Sequence, residues 1–454
     1  MAKIFVSFFN GLENPKDDQV LPCFYDGLVK TLFNSGNDVM CLSHDRWGED
    51  MGKPPRRLLR DIKTFNPDLM IFFNNACYDL TPYFDNVPIV VYEADSCLYY
   101  SNKQVLKNNP DRFLYVTAQT SEVEEIEKMF GASKKNIFYL PFATAVKAEK
   151  KTLRTNIVFI GSHYKQSLLT KEFILSKPDE IGRADFRRVI EKLQKNPFLS
   201  KSEIISELKI KNQALVNAID PQQLLHDISA VKRVQTLSAI ADLGMNLYGP
   251  VSWTRVANVP ELTMSYQFRR VHSLQDNQDT YNTSKIGINI NHAQANTGFS
   301  WRACDVMASN ACLVTEEKPD FKRLFPKIRL PMFNNQFEAR EQCLKLLRDE
   351  KLRLDLVQQC HQAIEENHSM QTLIDNLAKI SGVPLINSGD GELAIVNIKR
   401  EIWKVPSIQN RTIRHRLRMS KYSLVLLVNQ IPLLNKICIS QDEIVKRIDS
   451  IAAE

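Results

Sequence analysis

Residues 296–316 read NTGFSWRACDVMASNACLVTE, and they bring together side chains that bind anions and hydroxyl groups. Thr297, Gly298 and Ser300 precede a run with helical spacing, so the free N–H groups and hydroxyls at this helix start could bind an anion. Arg302 falls in the first turn, where a cation is favourable chiefly when an anion lies beside it. The segment therefore predicts an anion site at the start of a helix.

Asp305 follows Arg302 by three residues and would share its face of the helix. Its carboxylate could then accept hydrogen bonds from ribose hydroxyls. The alternative is an isolated surface pair of Arg302 and Asp305, which would contribute little to stability. The helix is expected to end at Ser309-Asn310, with Asn310 in the left-handed conformation that glycine usually adopts.

Three further loops are expected at one edge of a sheet, because each follows a predicted strand. They contain the pairs Gly161-Ser162, Tyr248-Gly249 and Asn291-His292. In open parallel sheets, ligands bind outside the carboxyl ends of the strands, and glycine lets the backbone approach a phosphate closely. Glycines also simply end strands, and His163 and His292 could contact phosphate or sugar or be structural. Three converging loops favour a ligand cleft.

The elements that position these loops follow from the hydrophobic pattern. Short apolar runs alternate with helical patterns, and the predicted strands are 3–8, 38–43, 68–73, 87–94, 112–118, 136–142, 156–164, 245–250, 284–290, 312–316 and 330–333. Ser121 and Glu124 have the spacing of a helix capping box. The pattern predicts an α/β fold with two tandem doubly wound, Rossmann-like domains that face a cleft. It also predicts a helical insertion at about 180–243 and a helical C-terminal tail.

The predicted domains are 1–148, 149–385 and a basic, amphipathic tail at 386–454, with the charged stretch at 146–154 as the linker. The apolar run at 422–439 is interrupted by Pro432 and by amides, so it does not satisfy the requirement for a membrane span. Residues 399–439 are expected either to contact the inner face of a membrane or to pack as a helix across both domains. The sequence leaves both alternatives open.

Composition limits the class of protein. The 454 residues are 44% hydrophobic and 24% charged, with a net charge of +7, so no nucleic-acid partner is expected. The nine cysteines occur singly and form no C-x-x-C pair, which argues against a zinc ribbon or a thioredoxin-like site. Reduced, buried thiols and an N-terminus without signal-peptide features predict a cytoplasmic protein.

The order T-G-x-S-x-R-x-x-[acid]-x-x-A, followed by L-x-T-E, resembles the donor-site signature of glycosyltransferases of the GT-B class. More narrowly, it is similar to the group named after the spore-maturation protein CgeB. The matching positions are Arg302, Asp305, Ala308, Leu313, Thr315 and Glu316. Segments 156–164, 244–253 and 281–291 resemble the family in the expected order, and the resemblance covers about residues 136–325.

This resemblance implies a nucleotide-sugar donor on the second domain and a glycan, glycolipid or protein acceptor on the first. Asp305 takes the position of a ribose-contacting glutamate. Thr297 stands where many retaining members carry an acid, so retention or inversion stays open. No cofactor and no metal are expected beyond the nucleotide-diphosphate sugar, since no D-x-D doublet lies in a suitable loop. Helix termini and Arg302 would neutralise the leaving diphosphate.

An inverting enzyme of this kind needs a first-domain base to deprotonate the acceptor hydroxyl. Asp95, after the strand at 87–94, is the first candidate, and His44 and Asp45, after the strand at 38–43, come next. Each could instead be an ordinary loop or capping residue. The sequence alone does not choose between these roles.

Two other classes of protein compete with the glycosyltransferase interpretation. An NAD-dependent oxidoreductase also uses tandem doubly wound domains, but neither KIFVSFFNG nor NIVFIGSHY continues as G-x-G-x-x-G. A non-catalytic nucleotide-sugar-binding or assembly protein would bind the nucleotide without turning it over. The sugar, the nucleotide, the acceptor and the oligomeric state cannot be read from the sequence.

Overall fold

The computed structural model describes residues 1–10, 20–44, 54–74, 78–100, 103–164, 167–256 and 259–398. The candidate base Asp45 and the segment from residue 399 onward lie outside the described residues. The described chain is part of one compact unit that spans Met1–Trp403. It contains two parallel sheets covered by helices, which confirms the predicted fold class.

The first sheet is built from apolar runs, and its first five strands are buried along nearly their whole length. Its strands along the chain are β1 (Lys3–Phe9), β2 (Asp38–His44), β3 (Leu69–Phe73), β4 (Ile89–Tyr92), β5 (Phe113–Thr117) and β6 (Ile137–Tyr139). All of these strands pair in parallel, in the spatial order β2-β1-β3-β4-β5-β6. Such continuous burial is expected when helices cover both faces of a sheet.

The helices of this first lobe are α1 (Cys23–Asn34), α2 (Arg56–Phe65), α3 (Lys103–Asn108) and α4 (Glu122–Phe130). The predicted capping box at the start of α4 is wrong. Ser121 already has helical backbone angles and makes no side-chain cap. Its hydroxyl instead accepts a hydrogen bond from Thr297 of the second lobe at 3.1 Å. A contact between the lobes has therefore replaced the local cap.

The second lobe has a smaller parallel sheet. Its strands are β7 (Thr155–Ile160), β8 (Met245–Tyr248), β9 (Ser284–Asn289), β10 (Cys312–Glu316) and β11 (Met332–Phe333). Their spatial order is β11-β10-β9-β7-β8, so the loops after β7, β8 and β9 lie side by side at the carboxyl edge. This is the adjacency that the sequence predicts for the three glycine- and histidine-containing loops.

Between β7 and β8 the chain forms a helical layer with its own apolar core. The helices are α5 (Leu168–Leu175), α6 (Glu180–Lys195), α7 (Lys201–Leu208), α8 (Gln213–Ala218) and α9 (Pro221–Ser238). Each begins after a Ser, Asp or Asn whose side chain accepts a hydrogen bond from the first turn. The layer starts earlier than the predicted residue 180, and α9 carries it to the edge of the second sheet.

The remaining helices surround the second sheet and lead back toward the first. They are α10 (Pro260–Ser265), α11 (Leu274–Asn282), α12 (Arg302–Met307), α13 (Pro319–Leu324), α14 (Gln336–Arg348), α15 (Glu350–Asn367) and α16 (Met370–Ser381). Asn310 is not among the described residues with positive φ, so the predicted left-handed cap after α12 is wrong. Its backbone N–H instead donates to Asn282 Oδ1 at 3.0 Å.

A final strand, β12 (Leu393–Ile398), returns to the first sheet and pairs in parallel with β2. It lies in the segment that the sequence assigns to the tail from residue 386. The apolar run LAIVNI stands next to a strongly basic stretch, which hides its strand character in the sequence. The predicted domain boundaries stay predictions.

The segment that precedes β12 is held against the first lobe by hydrogen bonds and a close backbone contact at Asn37. Asn37 Nδ2 donates to the carbonyl oxygen of Leu385 at 2.8 Å, and Asn387 Nδ2 donates to Asn37 Oδ1 at 2.7 Å. A Cβ placed on Gly391 would lie 2.0 Å from the Asn37 carbonyl oxygen. Only glycine therefore allows the chain to pass so close to Asn37.

Replacing Gly391 by alanine should separate β12 from β2. We expect Gly391→Ala to lower the free energy of unfolding by about 1–3 kcal/mol, the usual cost of forcing extra atoms into a packed site. Gly389→Ala is the matched control, because its Cβ would meet nothing within 4 Å. Urea denaturation of both variants measures the difference. Equal stability of the two variants would contradict the close packing at Gly391.

Candidate functional site

The carboxyl ends of the two sheets face each other across a cavity of about 170 Å³. From the first lobe it is lined by Glu93, Asp95, Ser96 and Gln119. From the second lobe it is lined by Ser162, Tyr164, Arg233, Asn291, His292, Gln294, Ser300, Trp301 and Arg302. The cavity thus has an acidic wall on the first lobe and a basic wall on the second.

Arg233, on α9, is the most buried cation of this cavity. Its side chain is 3% exposed, and its Nη1 and Nη2 donate to the carbonyl oxygens of Ser162 at 2.6 Å and Ile290 at 3.2 Å. The guanidinium lies 4.4 Å from the Tyr164 ring centroid. Its Nε has no hydrogen-bond partner, and no carboxylate within the described ranges forms an ion pair with it. Burial lowers the pKa of Arg233, although arginine keeps its charge in proteins.

Arg302, in the first turn of α12, faces the same cavity and is half-buried. It forms neither a hydrogen bond nor an ion pair with any residue in the described part of the chain. Burial is the main cause that lowers the pKa of Arg233, and the positive charge of Arg302 lowers it further. Two like charges that converge in this way favour a bound anion between them.

Glu316, at the end of β10, organises the loop that follows β9. Lys232 Nζ donates to both of its carboxylate oxygens at 2.7 and 2.8 Å, and the backbone N–H of Asn291 donates to Oε2 at 3.0 Å. Burial alone would raise the pKa of Glu316, but Lys232 and Lys318 hold that pKa below its usual value. Glu316 therefore stays ionised and fixes the position of the loop at residues 291–300, which we call the 291 loop.

His292, in that loop, forms a pair with His226 of α9. Its Nδ1 accepts the backbone N–H of Gln294 at 3.1 Å, so its proton lies on Nε2, which is 3.1 Å from His226 Nδ1. Burial, and then the nearby charges, lower the pKa of His292 well below its usual value. The ring is consequently a neutral donor to His226, and it also forms part of the cavity wall.

Ser300 reaches the cavity, but its polar groups already have protein partners. Its backbone N–H donates to Asn291 Oδ1 at 3.0 Å and its hydroxyl donates to Asn289 Oδ1 at 2.9 Å. The short helix that follows begins at Arg302, so the predicted anion site formed by Thr297, Gly298 and Ser300 is not assembled at the helix start.

Thr297 and Gly298 join the two lobes instead. Thr297 Oγ1 accepts the hydroxyl of Thr120 and the backbone N–H of Ser121, both at 3.0 Å. A Cβ on Gly298 would lie 2.4 Å from Gln119 Cγ. Neither residue lines the cavity, and the absence of a side chain at Gly298 serves contact with the first lobe.

The loops after β7 and β8 also differ from the prediction. Gly161 accepts the indole N–H of Trp253 at 2.8 Å, and a Cβ on Gly249 would lie 2.2 Å from the Gly161 carbonyl oxygen. Tyr248 packs under Arg269, whose guanidinium is 5.5 Å from its ring, and the His163 ring lies 5.2 Å from that of Trp253. These residues bring two backbones together beside the cavity. Of the predicted residues in these two loops, only Ser162 lines the cavity, and its carbonyl oxygen is the one that accepts a hydrogen bond from Arg233.

Asp305 lies inside the protein rather than in the cavity. Its side chain is 2% exposed, its Oδ1 accepts the hydroxyl of Thr144 at 2.6 Å, and its Oδ2 lies 3.7 Å from Cys23 Sγ. As placed, this carboxylate is not accessible to a ribose. Burial raises the pKa of Asp305 to about 6, against the lowering effects of Thr144 and Arg302.

Among the first-lobe candidates, Asp95 lines the cavity and His44 does not. Asp95 accepts hydrogen bonds from Asn74 Nδ2 at 2.9 Å and Gln294 Nε2 at 2.6 Å. Burial raises the pKa of Asp95, and these two amides oppose the shift. His44 is 1% exposed at the end of β2. Asp45 lies outside the described residues.

Sequence reasoning missed Arg233, Glu93 and Gln119. Glu93 stands two residues before Asp95 in VYEAD, and its place at a strand's carboxyl end is a signal that could have found it. Gln119 follows β5 at the same edge. Arg233 lies within a helical insertion, where nothing in the local sequence distinguishes it from a solvent-exposed arginine.

Part of the second lobe matches a protein-family model. Residues 231–379 match the glycosyl transferase-like family. This segment contains Arg233, the 291 loop and Arg302, so the match covers the basic wall of the cavity. It confirms the glycosyltransferase prediction, whereas the narrower resemblance to the CgeB group stays a prediction. No curated protein sequence matches the chain significantly.

Several solved structures are similar in architecture at low sequence identity. A glycosyltransferase from Rickettsia africae is 12% identical, with 84% of this chain and 98% of that chain covered at a TM-score of 0.49. Sucrose-phosphate synthase from Thermosynechococcus elongatus is 10% identical, with 83% and 97% covered at 0.49. The Anabaena protein HepE, in complex with UDP and glucose, is 10% identical, with 84% and 99% covered at 0.46. These values are too low to carry a functional argument.

No cluster of three or more His, Cys, Asp or Glu side chains in the described ranges is arranged to hold a metal ion. In the same part of the chain, no helix is long and apolar enough to cross a membrane.

The buried carboxyl of Asp305 gives a prediction on pH dependence. Its pKa is about 6 in the folded protein against 3.8 ordinarily, so the folded state binds the proton more tightly and wild-type stability falls as pH rises through this window. Relative to Asp305→Asn, which does not titrate, wild type should lose on the order of 3 kcal/mol between pH 4 and pH 7. Urea denaturation of both proteins across this range measures the difference. A pH-independent difference would contradict the buried position.

Proposed function

We propose that this protein transfers a sugar from a nucleotide-diphosphate sugar, held by the second lobe, to an acceptor hydroxyl that enters from the first lobe. The observation that carries the proposal is the convergence of Arg233 and Arg302 on one cavity, without a carboxylate ion pair for either within the described chain. The family match of residues 231–379 supports the same reaction class.

The chemistry of the donor explains why two arginines are suited to this wall. When the glycosidic bond breaks, the leaving diphosphate gains negative charge. Fixed cations that are already desolvated stabilise such charge more strongly than water does. Arg233 is held in place by two backbone carbonyls and by the Tyr164 ring, so little reorganisation is needed when the anion binds. Its Nε offers a further donor.

The finer assignments belong to this proposal as well. The match of Arg302, Ala308, Thr315 and Glu316 to the CgeB pattern favours that group, and glycan or cell-surface polysaccharide assembly in the cytoplasm is the setting that we propose. A non-catalytic binding protein would share the basic wall but would not release nucleoside diphosphate. Turnover therefore separates an enzyme from a binding protein.

Arg302→Ala should weaken donor binding. Loss of one charge-assisted contact corresponds to about 1.5–3 kcal/mol, or roughly a 10- to 150-fold lower affinity. The diphospho-sugars of uridine, guanosine, cytidine and thymidine are first screened by thermal shift, and calorimetry then measures the tightest one on wild type and variant.

The control for Arg302→Ala is Arg329→Ala, which removes the same charge from an exposed residue outside this cavity. Its affinity for the same diphospho-sugar should equal that of wild type. An unchanged affinity of a folded Arg302→Ala protein would refute the donor site. Equal losses of affinity in both variants would show that the effect comes from the net charge of the protein and not from a contact in the cavity.

We also propose that residues 399–439 contact an anionic membrane, which is where a glycolipid acceptor would be found. The full chain should float with vesicles containing anionic lipid at low salt, since each basic residue near the surface contributes about 1 kcal/mol. A chain ending at residue 398 keeps β12 intact and is the control that should stay in the soluble fraction. Equal flotation of both chains, or of neither, would refute a membrane role for this segment.

A further inference from the structure

Two buried carboxyl groups lie together behind the acidic wall of the cavity. Glu93, directly after β4, is 2% exposed, and Glu122, at the start of α4, is fully buried. Gln119 Nε2 donates to Glu93 Oε1 at 2.6 Å and to Glu122 Oε1 at 3.3 Å. One amide group therefore bridges the two side chains.

Neither carboxyl group has a cationic partner to offset its burial. Throughout the described chain, no lysine, arginine or histidine forms an ion pair with Glu93 or Glu122. Their other donors are neutral and include the Thr117 hydroxyl for Glu93 and the Cys97 backbone N–H for Glu122 at 3.2 Å. Burial raises the pKa of both groups, and the charge of Glu122 raises that of Glu93 further. Two buried carboxyls this close repel each other when both are ionised, so each takes up a proton more readily than an isolated carboxylate does.

Only one member of the pair reaches the cavity. Glu93 forms part of the wall opposite Arg302 and Arg233, whereas Glu122 lies behind it. A hydroxyl group that enters between the walls would meet Glu93 on one side and the donor on the other. The site thus has the arrangement that general-base catalysis requires, with a reachable carboxylate and a second group that controls its proton affinity.

We propose that Glu93 is the general base of the transfer and that Glu122 is a positioning residue that acts through Glu93. This inference rests on the proposed function. Glu93 takes the proton of the attacking hydroxyl, and the oxygen of that hydroxyl forms the new bond to the anomeric carbon. The bond from that carbon to the diphosphate breaks, and its electron pair leaves with the diphosphate. The reaction therefore inverts the anomeric configuration.

Asp95, the candidate favoured by the sequence, is better suited to a different role. Both of its oxygens accept amide hydrogens, and the donor on one side, Gln294, belongs to the second lobe. Glu93 also accepts an amide hydrogen, but the neighbouring Glu122 carboxylate raises its pKa beyond the effect of burial, whereas no such carboxylate acts on Asp95. Asp95 consequently fixes the 291 loop against the first lobe, where it positions the donor wall.

The experiment uses the full chain and the diphospho-sugar that binds most tightly, with water as the acceptor. A cavity of about 170 Å³ admits water, and release of nucleoside diphosphate reports turnover. Calorimetry measures donor affinity in parallel. Glu93→Gln should lower the release rate by about 10²- to 10⁴-fold while donor affinity stays within a few-fold of wild type. Circular dichroism confirms folding of each variant.

Glu122→Gln tests the positioning role through the pH–rate profile, which would not shift if Glu122 had only a structural role. Without the neighbouring negative charge, Glu93 ionises at lower pH, so the acid limb of the pH–rate profile should move to lower pH. Glu124→Gln is the matched control, because it changes an exposed carboxylate on the same helix. Its profile should coincide with that of wild type.

Several outcomes would overturn the inference. One is near-normal release of nucleoside diphosphate by Glu93→Gln, above all if Asp95→Asn loses that release. Another is a product with the same anomeric configuration as the donor. The last is a wild-type protein that binds the donor and releases no nucleoside diphosphate. If none of the diphospho-sugars binds, the proposed function itself fails and the inference falls with it. The binding arm therefore distinguishes the two failures.

Discussion

The geometry of the cavity depends on the loop of residues 291–300, because this loop is held from both lobes at once. On the second lobe, Glu316 accepts the backbone N–H of Asn291. On the first lobe, Asp95 accepts Gln294 and Gln119 accepts the backbone N–H of Asn296 at 3.0 Å. The distance between the walls is thus set by short polar contacts whose donors and acceptors are all partly or fully buried, where an unmet hydrogen bond costs most.

The same constraint explains how like charges can be kept together on each wall. Arg233 and Arg302 share one side, and Glu93 and Glu122 share the other, without direct ion pairs between the walls within the described chain. Either pair alone is unfavourable, since burial removes the solvation of the charges. Backbone carbonyls offset this cost for Arg233, and the Gln119 amide does so for the carboxyls. A ligand that places an anion beside the two arginines and a hydroxyl beside the two carboxyls lowers the electrostatic cost of burying each pair.

Much of the fold could be predicted because parallel strands have a local signature. Buried runs such as β3 and β4 are apolar along nearly their whole length, and the order of strands and helices then determines the layers. The glycines were harder to interpret. Gly249 and Gly298 lack side chains because another part of the protein approaches them, at Gly161 and Gln119. A sequence shows that space is needed beside a glycine, but not whether a ligand or the protein itself fills it.

The site was only partly predictable, for a related reason. The position of Arg302 on the cavity could be anticipated, because a cation at a helix start is unusual for its place in the chain. Asp305 has an equally suggestive spacing, yet the turn of α12 directs it toward Thr144 and Cys23, which are 161 and 282 residues away in the chain. The role of Arg233 likewise arises from its contact with Ser162, 71 residues away. Burial and charge partners are set by such distant contacts, and they decide which polar residues can serve a ligand.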